Sequence, residues 1–285
     1  MYDIIIIGAG PAGISASLYA KRANMKVLVL YYGKSEIEEA VKIDNYYGFI
    51  NGISGIELYN NGIKQAQNLG IELIEKEVLN IVITDNSIFN IKTKDEIFSS
   101  KSIILATGNN KIKSSIKGAD NFEGKGISYC AICDGFFYKN QNVVVIGNGQ
   151  YALNEANELS NIVKTLKIFT NGLDKPLSKK YEIDTRKIKE IHGDSKVTSI
   201  EFEDGELYNV DGIFIAQGIA GGLDFAKKIG IITQNSFIKV NEKMETNIKG
   251  IFSCGNITGG LLQINKAVYE GAKAGINAVK YIKES

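Results

Sequence analysis

The sequence predicts an α/β protein of two domains, each built around a parallel sheet. Two glycine-rich turns carry this prediction: residues 8–13 follow a short apolar run at Tyr2–Ile7, and residues 147–152 follow a similar run at Asn142–Ile146. Such runs are typical of buried parallel strands, and strand, glycine turn, helix and strand form one βαβ unit. Two units this far apart in 285 residues predict two Rossmann-like, three-layer domains, the second inserted into the first.

Hydrophobic patterning predicts the remaining elements and the domain limits. Helices are expected at 12–23, 152–160 and 264–282, buried strands at 27–30, 101–106, 165–169 and 250–253, and antiparallel strands at 87–91, 197–202 and 207–215. The two ends of the chain, 1–113 and 242–285, are expected to form one discontinuous domain. Residues 114–241 are expected to form the inserted domain.

Composition excludes several classes of function. The net charge is +1, so no strong field favours nucleic acid or a membrane surface. No apolar stretch approaches the roughly 20 residues of a membrane-spanning helix, and the amino terminus has no signal-peptide pattern. Three cysteines form no disulfide framework. We therefore expect a cytoplasmic protein. The chain has only two arginines, Arg22 and Arg186, and this scarcity disfavours bidentate phosphate binding.

The first glycine turn has the spacing of a dinucleotide-binding turn. Gly8 permits the tight turn, Gly10 lets the backbone approach a pyrophosphate, and Gly13 lets the helix pack closely on the strand. The alternative is a purely structural turn. An acidic residue ordinarily ends the second strand to bind ribose hydroxyls, but Tyr31 and Tyr32 stand there. We therefore expect backbone groups or these tyrosines to hold the ribose.

A C-x-x-C motif between the two turns predicts a redox-active disulfide. Cys130 and Cys133 are close enough in sequence to form a small disulfide ring, and such motifs lower thiol pKa values. Asp134 follows directly and is a candidate to exchange a proton with a thiolate. The alternatives are half of a zinc site, which lacks a second ligand pair, and two buried structural cysteines. His192 is predicted to lie in a loop without a catalytic role, and Cys254 to be a small buried apolar residue.

At these residues the chain resembles the low-molecular-weight thioredoxin reductase family, nearly end to end. The motifs that carry the resemblance lie at 8–13, 44–48, 106–108, 128–138, 147–152 and 255–256. The resemblance implies FAD bound by the two ends of the chain, a homodimer, and thioredoxin as protein substrate. It further implies that Cys133 faces the flavin, Cys130 attacks the thioredoxin disulfide and Asp134 is the acid–base carboxylate.

The resemblance also implies a set of FAD-contacting positions. These are Gly8, Gly10, Pro11, Ala12, Gly13, Tyr31, Tyr32, Asn45, Val78, Ala106, Thr107, Gly108, Gly255, Asn256 and Gln263. At one of them the chain departs from the family, which usually has Gly-Asp where Gly255-Asn256 stands. Asparagine can still hydrogen-bond the cofactor, but without charge.

The larger departure concerns the electron donor. Where the family has a His-Arg-Arg run that holds the 2′-phosphate of NADPH, this chain has Thr170-Asn171-Gly172, and Tyr151 replaces a small residue at the second glycine turn. Each missing charge-assisted hydrogen bond is worth roughly 1.5–3 kcal/mol. No acidic residue is present for the ribose of NADH either. The pattern resembles the pyridine-nucleotide-independent branch of the family, the ferredoxin-linked flavin thioredoxin reductases of anaerobes.

Other functions stay open from the sequence. A divergent NADPH-dependent reductase would use lysines such as Lys167 or Lys175. A dithiol oxidase on the same scaffold would act on a small molecule, and a flavin-binding protein without turnover would leave the intact C-x-x-C-D run unexplained. If ferredoxin, generally acidic, is the donor, a lysine patch is expected to dock it. Candidate patches are Lys111, Lys113 and Lys117, or Lys227 and Lys228.

Overall fold

The computed structural model describes residues 1–108, 114–129, 131–174, 176, 178, 180–217, 222–235 and 237–285, with Ile132 and Cys133 described by their backbone alone. The chain divides into two compact units. The first comprises Met1–Asn110 and Gly221–Ser285, and the second Lys111–Ala220. Both contain parallel sheets with helices, which confirms the predicted α/β class.

The amino-terminal part of the first unit forms most of a mixed sheet. Its elements in chain order are β1 (Tyr2–Ile7), α1 (Pro11–Arg22), β2 (Val27–Tyr31), α2 (Gly55–Asn68), β3 (Glu72–Glu75), β4 (Asn80–Ile83), β5 (Phe89–Lys92) and β6 (Ile97–Leu105). The strand order is β3-β2-β1-β6-β5-β4, with parallel pairing from β3 to β6 and antiparallel pairing beyond it. The last four residues of β1 are buried, and the glycine turn that follows them lies at the carboxyl edge of this sheet, where ligands bind in such folds.

The second unit carries the C-x-x-C segment. Its elements are β7 (Ile127–Ser128), α3 (Ala131–Asp134), β8 (Asn142–Ile146), α4 (Gln150–Leu159), β9 (Thr165–Phe169), β10 (Glu182–Asp184), β11 (Ile188–Gly193), β12 (Val197–Phe202), β13 (Leu207–Asn209) and β14 (Gly212–Ile215). One sheet is parallel, in the order β10-β9-β8-β14-β7, and a second is antiparallel, in the order β11-β12-β13. In the sequence, α3 begins three residues after the end of β7.

The returning segment completes the first unit. It consists of α5 (Gly222–Lys228), β15 (Thr233–Gln234), β16 (Phe237–Ile238), β17 (Ile251–Ser253) and α6 (Ile264–Glu284). The strand β17 pairs in parallel with β6. The helix α6 packs closely on α1, because a Cβ on Gly271 or Gly275 would lie 2.1 or 2.5 Å from the carbonyl oxygen of Ala12 or Ala16. This close packing holds the far end of the chain against the first glycine turn.

Two expectations need correction. The second boundary lies near residue 221, not between 241 and 242, because the segment from α5 to β16 packs on the first unit: a Cβ on Gly222 would lie 2.2 Å from Thr107 Oγ1, and Val240 packs against that unit's core. The expected antiparallel strand 207–215 is also two strands. Only β13 is antiparallel, whereas β14 is a fully buried central strand paired in parallel with β8 and β7.

Candidate active site

The first glycine turn needs glycine at two positions for its own packing and leaves space at a third. Gly8 has φ +111°, and a Cβ there would lie 2.3 Å from the carbonyl oxygen of Ala106. A Cβ on Gly13 would lie 1.9 Å from the carbonyl oxygen of Gly8. Gly10 differs, because a Cβ there would meet only Ser35 Oγ, at 3.4 Å. The protein itself does not require glycine at position 10, which fits close approach of a ligand to this backbone.

The amino terminus of α1 faces this turn without a competing side chain. Gly10 is the N-cap with φ −69° and ψ −179°, Pro11 occupies the first turn, and within the described residues no side chain caps this end and no acidic residue lies in the first turn. The first N–H groups of a helix have no intrahelical partner, and the helix dipole favours an anion there. Residues 10–13 thus present the backbone donors of a pyrophosphate site.

Residues from distant parts of the first unit contact one another, and one of them contacts this turn. Gly255 lies against it, because a Cβ on Gly255 would be 2.8 Å from Ala12 Cβ. Asn45 Nδ2 donates to Gln263 Oε1 at 3.1 Å, which joins two of the predicted FAD-contacting residues across 218 positions of sequence. Asn256 Nδ2 donates to Glu36 Oε2 at 3.2 Å.

The turn at Gly255 is fixed by two residues of α6. Glu270 Oε2 accepts from the backbone N–H of Gly255 at 2.9 Å and from Thr258 Oγ1 at 2.8 Å. Lys266 Nζ donates to the Gly255 carbonyl at 2.7 Å and lies 2.8 Å from Glu270 Oε2. This half-buried ion pair holds the backbone of Gly255, whose φ of +85° favours glycine.

The remaining predicted cofactor positions lie at the ends of β2 and β6. The Tyr31 carbonyl accepts from the N–H of Lys76 at 2.8 Å, which brings the chain just before the buried Val78 beside the end of β2. Burial, with a smaller effect of the Glu75 carboxylate, raises the pKa of Tyr31. Tyr32 is exposed. Gly108 has φ +73° and nothing within 4 Å of a Cβ built on it, so the space beside it is open.

Two buried oxygens test whether a cofactor fits here. Among the side chains of the described residues, Thr107 Oγ1 and Glu77 Oε1 are fully buried and have no hydrogen-bond partner. Such groups are rare and call for a partner. Burial also raises the pKa of the Glu77 carboxyl. One of these atoms belongs to a predicted FAD-contacting residue and the other to the neighbour of Val78, so the residues present fit a bound dinucleotide with hydroxyl groups.

The dithiol segment follows β7 in the second unit. Cys130 lies outside the described residues, and the backbone of Cys133 belongs to α3. Ser128 Oγ donates to Asp134 Oδ2 at 2.6 Å, so the predicted acid–base carboxylate is held beside the end of β7. Burial, reinforced by the Asp134 carboxylate, raises the pKa of Tyr138. Gly135 lets this segment approach α4, because a Cβ there would lie 2.9 Å from a methyl group of Leu159.

The second glycine turn repeats the backbone of the first. A Cβ on Gly147 would lie 2.1 Å from the carbonyl oxygen of Ala216. The third glycine of the pattern is replaced by the fully buried Ala152. Tyr151, which stands where the family has a small residue, is 4% exposed, and its hydroxyl donates to the carbonyl of Tyr129 at 3.1 Å.

Side chains of the turn after β9 form hydrogen bonds within the second unit. Thr170 is fully buried, and its Oγ1 donates to the carbonyl of Leu173 at 2.6 Å. Asn171 Oδ1 accepts from the N–H of Ile188 at 2.8 Å, and Gly172 has φ +80°. These are the three residues that stand where the family has its cationic run.

Two cations near this turn in the sequence, Lys167 and Arg186, form ion pairs. Arg186 forms ion pairs with Asp184, Asp204 and Glu206 and lies over the ring of Phe202 at 3.9 Å. Lys167 pairs with Glu182. Lys175 lies outside the described residues.

The histidine does not lie in a loop as expected. His192 belongs to β11, because the alternation over 188–193 pairs with β12, and its Nε2 lies 2.7 Å from Glu201 Oε2. Glu190, His192 and Glu201 offer ligand atoms within 4.8 Å of one another. Lys117 pairs with Glu190 and Lys189 with Glu201, so both carboxylates already have cationic partners.

Comparison with known proteins identifies the family. The sequence profile of the pyridine nucleotide-disulphide oxidoreductase family matches residues 2–271. A thioredoxin reductase of Listeria innocua is 33% identical over 100% of this chain and 95% of its own length. This chain belongs to the thioredoxin reductases.

Two solved thioredoxin reductase structures resemble the chain over its whole length. An atypical thioredoxin reductase from Desulfovibrio vulgaris Hildenborough is 38% identical, covers 100% of this chain and 99% of its own, and gives a TM-score of 0.90. A ferredoxin-flavin thioredoxin reductase from Clostridium acetobutylicum is 34% identical with the same coverage and a TM-score of 0.72. The resemblance inferred from the motifs and the fold is thereby confirmed. Within the described part of this thioredoxin reductase, no helix has the length and apolarity needed to cross a bilayer.

The structure adds site residues that the sequence reasoning missed. In the first unit these are Ser35, Glu36, Glu77, Lys266 and Glu270. In the second unit they are Ser128 and Glu155. Ser128 donates a hydrogen bond to Asp134, and Glu155, a buried glutamate on α4, accepts one from the backbone N–H of Ala131. A glutamate on the apolar face of an amphipathic helix was the one available signal, because Glu155 stands between Ala152 and Leu159 on the buried face.

Proposed function

We propose that this thioredoxin reductase receives its electrons from a reduced ferredoxin and not from NADPH. The observation that carries the proposal is the turn after β9. The Thr170 hydroxyl is buried and bonded to Leu173, Asn171 Oδ1 is bonded to the backbone of Ile188, and neither residue offers a phosphate the cation that the family has there. A 2′-phosphate would compete with carboxylates for Arg186 or Lys167. The ferredoxin-flavin enzyme named above, similar over its whole length, supports the same donor.

FAD is the cofactor that fits the first unit. Residues 10–13 would meet its pyrophosphate at the amino terminus of α1. Thr107 Oγ1 and Glu77 Oε1 would gain the partner they lack, and Asn45, Gln263 and Asn256 supply further polar groups. Glu36 and Glu77 are the carboxylates that the fold offers for ribose hydroxyls in place of an acidic residue at the end of β2. When bound, FAD would supply the two electrons that open the Cys130–Cys133 disulfide.

The side chains of the second unit then transfer those electrons to thioredoxin. The Cys130 thiolate attacks one sulfur of the thioredoxin disulfide, which forms a mixed disulfide and releases the other thioredoxin sulfur as a thiolate. Cys133 attacks the Cys130 sulfur, releases the second thioredoxin sulfur and leaves Cys130 and Cys133 joined. Asp134 moves protons to and from these thiolates, and the Ser128 hydroxyl bonded to it orients the carboxylate.

Both protein partners need a docking surface. Phe136 and Phe137 are 74% and 73% exposed directly after the dithiol and offer an apolar contact for thioredoxin. For ferredoxin, Lys227 is exposed in the last turn of α5, with Lys228 beside it. Of the other candidate patch, Lys117 pairs with Glu190, and Lys111 and Lys113 lie outside the described residues. We also propose a homodimer acting in the cytoplasm, as the resemblance implies.

Anaerobic stopped flow with each donor tests the proposal. Reduced ferredoxin is expected to bleach the flavin absorbance rapidly, and the rate is expected to fall with added salt because lysine docking is electrostatic. NADPH and NADH at the same concentration are expected to bleach it slowly or not at all. Rapid bleaching by micromolar NADPH would overturn the ferredoxin proposal and identify an NADPH-dependent thioredoxin reductase. Electron transfer to oxygen with no thioredoxin reduction would favour the dithiol oxidase.

A further inference from the structure

Two side chains of α4 hold the backbone on both sides of Cys130. The hydroxyl of Tyr151 donates to the carbonyl of Tyr129 at 3.1 Å. The N–H of Ala131 donates to Glu155 Oε2 at 2.7 Å. Tyr129 and Ala131 are the residues immediately before and after Cys130 in the sequence. Because Tyr151 and Glu155 are four positions apart, they lie one above the other on a single face of the helix.

These contacts lie in the interior of the second unit. Tyr151 is 4% exposed, while Glu155 and Ala131 are each 1% exposed. Burying a carboxylate costs free energy unless the carboxylate is hydrogen-bonded, which favours retention of the bond between Glu155 and the N–H of Ala131. Ala131 is the first residue of α3. The close approach of Gly135 to Leu159 on the same helix seats the other end of α3. The described residues at the two ends of α3, Ala131 and Gly135, therefore both rest on α4.

We propose that Tyr151 and Glu155 are positioning residues of the dithiol. They hold the backbone of Tyr129 and of Ala131, on either side of Cys130 in the sequence, in the arrangement in which Cys130 and Cys133 join and separate readily. The inference rests on the proposed function, in which Cys130 and Cys133 are the working pair. The second glycine turn then has a structural role that needs no bound nucleotide, because the helix that follows it, α4, supports the dithiol. Tyr151, which replaces the small residue usual in the family, is part of that support.

Tyr151→Phe removes the hydroxyl and keeps the ring in the core. A neutral hydrogen bond that orders a reacting segment is worth a factor of roughly 2–10. The kcat for thioredoxin reduction is expected to fall by about that factor while KM for thioredoxin changes less than about twofold, since no thioredoxin contact is removed. The equilibrium constant for disulfide formation against glutathione is expected to fall similarly, which raises the midpoint potential by at most about 30 mV.

Glu155 is tested by two substitutions. Glu155→Gln keeps an oxygen that accepts from the N–H of Ala131, and it is expected to retain most of the turnover and of the glutathione equilibrium. Glu155→Leu removes the acceptor and is expected to lower both by at least the factor seen for Tyr151→Phe. Where Glu155→Leu does not fold, Tyr151→Phe and Glu155→Gln still decide the question.

Tyr181→Phe is the matched control. The Tyr181 hydroxyl bonds to Asn157 Oδ1, so it also contacts a side chain of α4, but on the exposed side. This variant is expected to match the wild type in kcat and in the glutathione equilibrium. The inference is overturned if Tyr151→Phe equals Tyr181→Phe in both measurements. If wild-type protein reduces no thioredoxin with either donor, the proposed function fails, and the glutathione equilibrium of the variants still decides the inference.

Discussion

The two glycine turns share a backbone and differ in what surrounds it. Gly8 and Gly147 meet the carbonyl oxygens of Ala106 and Ala216 in the same way, with a Cβ placed 2.3 and 2.1 Å away. Both following helices begin at an extended glycine, and neither has a side-chain cap among the described residues. The sheet, the turn and the helix are therefore retained in both units.

The surroundings decide what each turn can do. Beside the first turn lie the buried Thr107 Oγ1, which has no hydrogen-bond partner, the open space at Gly108, and Gly255 from the far end of the chain. In the second unit, the turn after β9 is closed by its own hydrogen bonds, and the helix after the glycine turn holds the dithiol segment. A glycine pattern therefore predicts a fold, and the ligand must be argued from the side chains around it.

The largest effect that separates the two units is expected from the cysteines. Cys130→Ser and Cys133→Ser are each expected to lower thioredoxin reduction at least about 10³-fold, because the nucleophile or its resolving partner is lost. Both variants are expected to keep FAD, because the first unit is untouched. Cys133→Ser is further expected to trap a mixed disulfide between Cys130 and thioredoxin, visible on a non-reducing gel. Full turnover in either variant would show that the second unit does not work through this pair.

A matched pair of valine substitutions compares the turns directly. Gly10 and Gly149 both have extended backbone, with φ −69° and −103°, so valine strains neither. Gly10→Val is expected to block the approach of the pyrophosphate and to yield folded, colourless, inactive protein. Gly149→Val is expected to keep the flavin and most of the ferredoxin-driven turnover. Flavin absorbance and far-ultraviolet circular dichroism measure both.

Either of two results would break this comparison. Stoichiometric FAD in Gly10→Val would remove the pyrophosphate from the first turn. Loss of turnover in Gly149→Val, with the flavin and the glutathione equilibrium of the dithiol both unchanged, would indicate that the second turn binds a nucleotide during catalysis.

Restoring the family's cations is expected to damage the second unit without changing the donor. The triple variant Thr170→His, Asn171→Arg, Gly172→Arg loses the buried hydrogen bond of Thr170 and the hydrogen bond from the N–H of Ile188 to Asn171. It also places an arginine at position 172, where φ is +80°. Together these changes are expected to lower the free energy of unfolding by about 2–4 kcal/mol. NADPH is expected to bleach the flavin no faster than in the wild type.

Denaturant titration and stopped flow measure these two quantities. Gly205→Arg is the control for backbone strain, because Gly205 has φ +85° with nothing within 4 Å of a Cβ built on it. It is expected to lose about 1 kcal/mol. A triple variant that is as stable as wild type and is reduced rapidly by NADPH would show that the turn after β9 still accepts a 2′-phosphate.

Local pattern predicted the parts of the fold that depend on short stretches of sequence. The strands Asn142–Ile146 and Thr165–Phe169 lie where they were predicted. For Asn142–Ile146 the reason is that burial on both faces leaves a continuous apolar signal. The prediction of a single antiparallel strand over 207–215 was wrong because two patterns adjoin there. Residues 207–215 contain an alternating part and a continuous apolar part, and only the first pairs antiparallel.

Contacts between residues far apart in the sequence could not be predicted from local sequence patterns. The chain from 222 to 240 has no motif of its own, and its assignment depends on Gly222 meeting Thr107. Glu155 lies 24 residues from Ala131 in sequence, so no spacing rule connects it to the dithiol. Tyr151 was noticed because it departs from the family, but only the fold shows that its hydroxyl points to Tyr129.

The smallest effect is expected from the third cysteine, which lies in the first unit beside Gly255. Cys254 is fully buried in the apolar core, and burial, with a smaller effect of the Glu270 carboxylate, raises the pKa of its thiol well above the ordinary value. The folded protein therefore keeps a neutral thiol at a pH where the unfolded chain ionises. Its contribution to stability is complete below the unfolded pKa of about 8.5 and is lost as the pH rises above that value.

Cys254→Ala is expected to cost roughly 1 kcal/mol at pH 7, to cost less at pH 10, and to leave thioredoxin reduction unchanged. Iodoacetamide is expected to leave Cys254 unmodified in native protein and to modify it in urea, as peptide mass analysis would show. Rapid native modification, or a loss of turnover comparable to that of Cys130→Ser, would make Cys254 part of the redox machinery and would remove the contrast between the units.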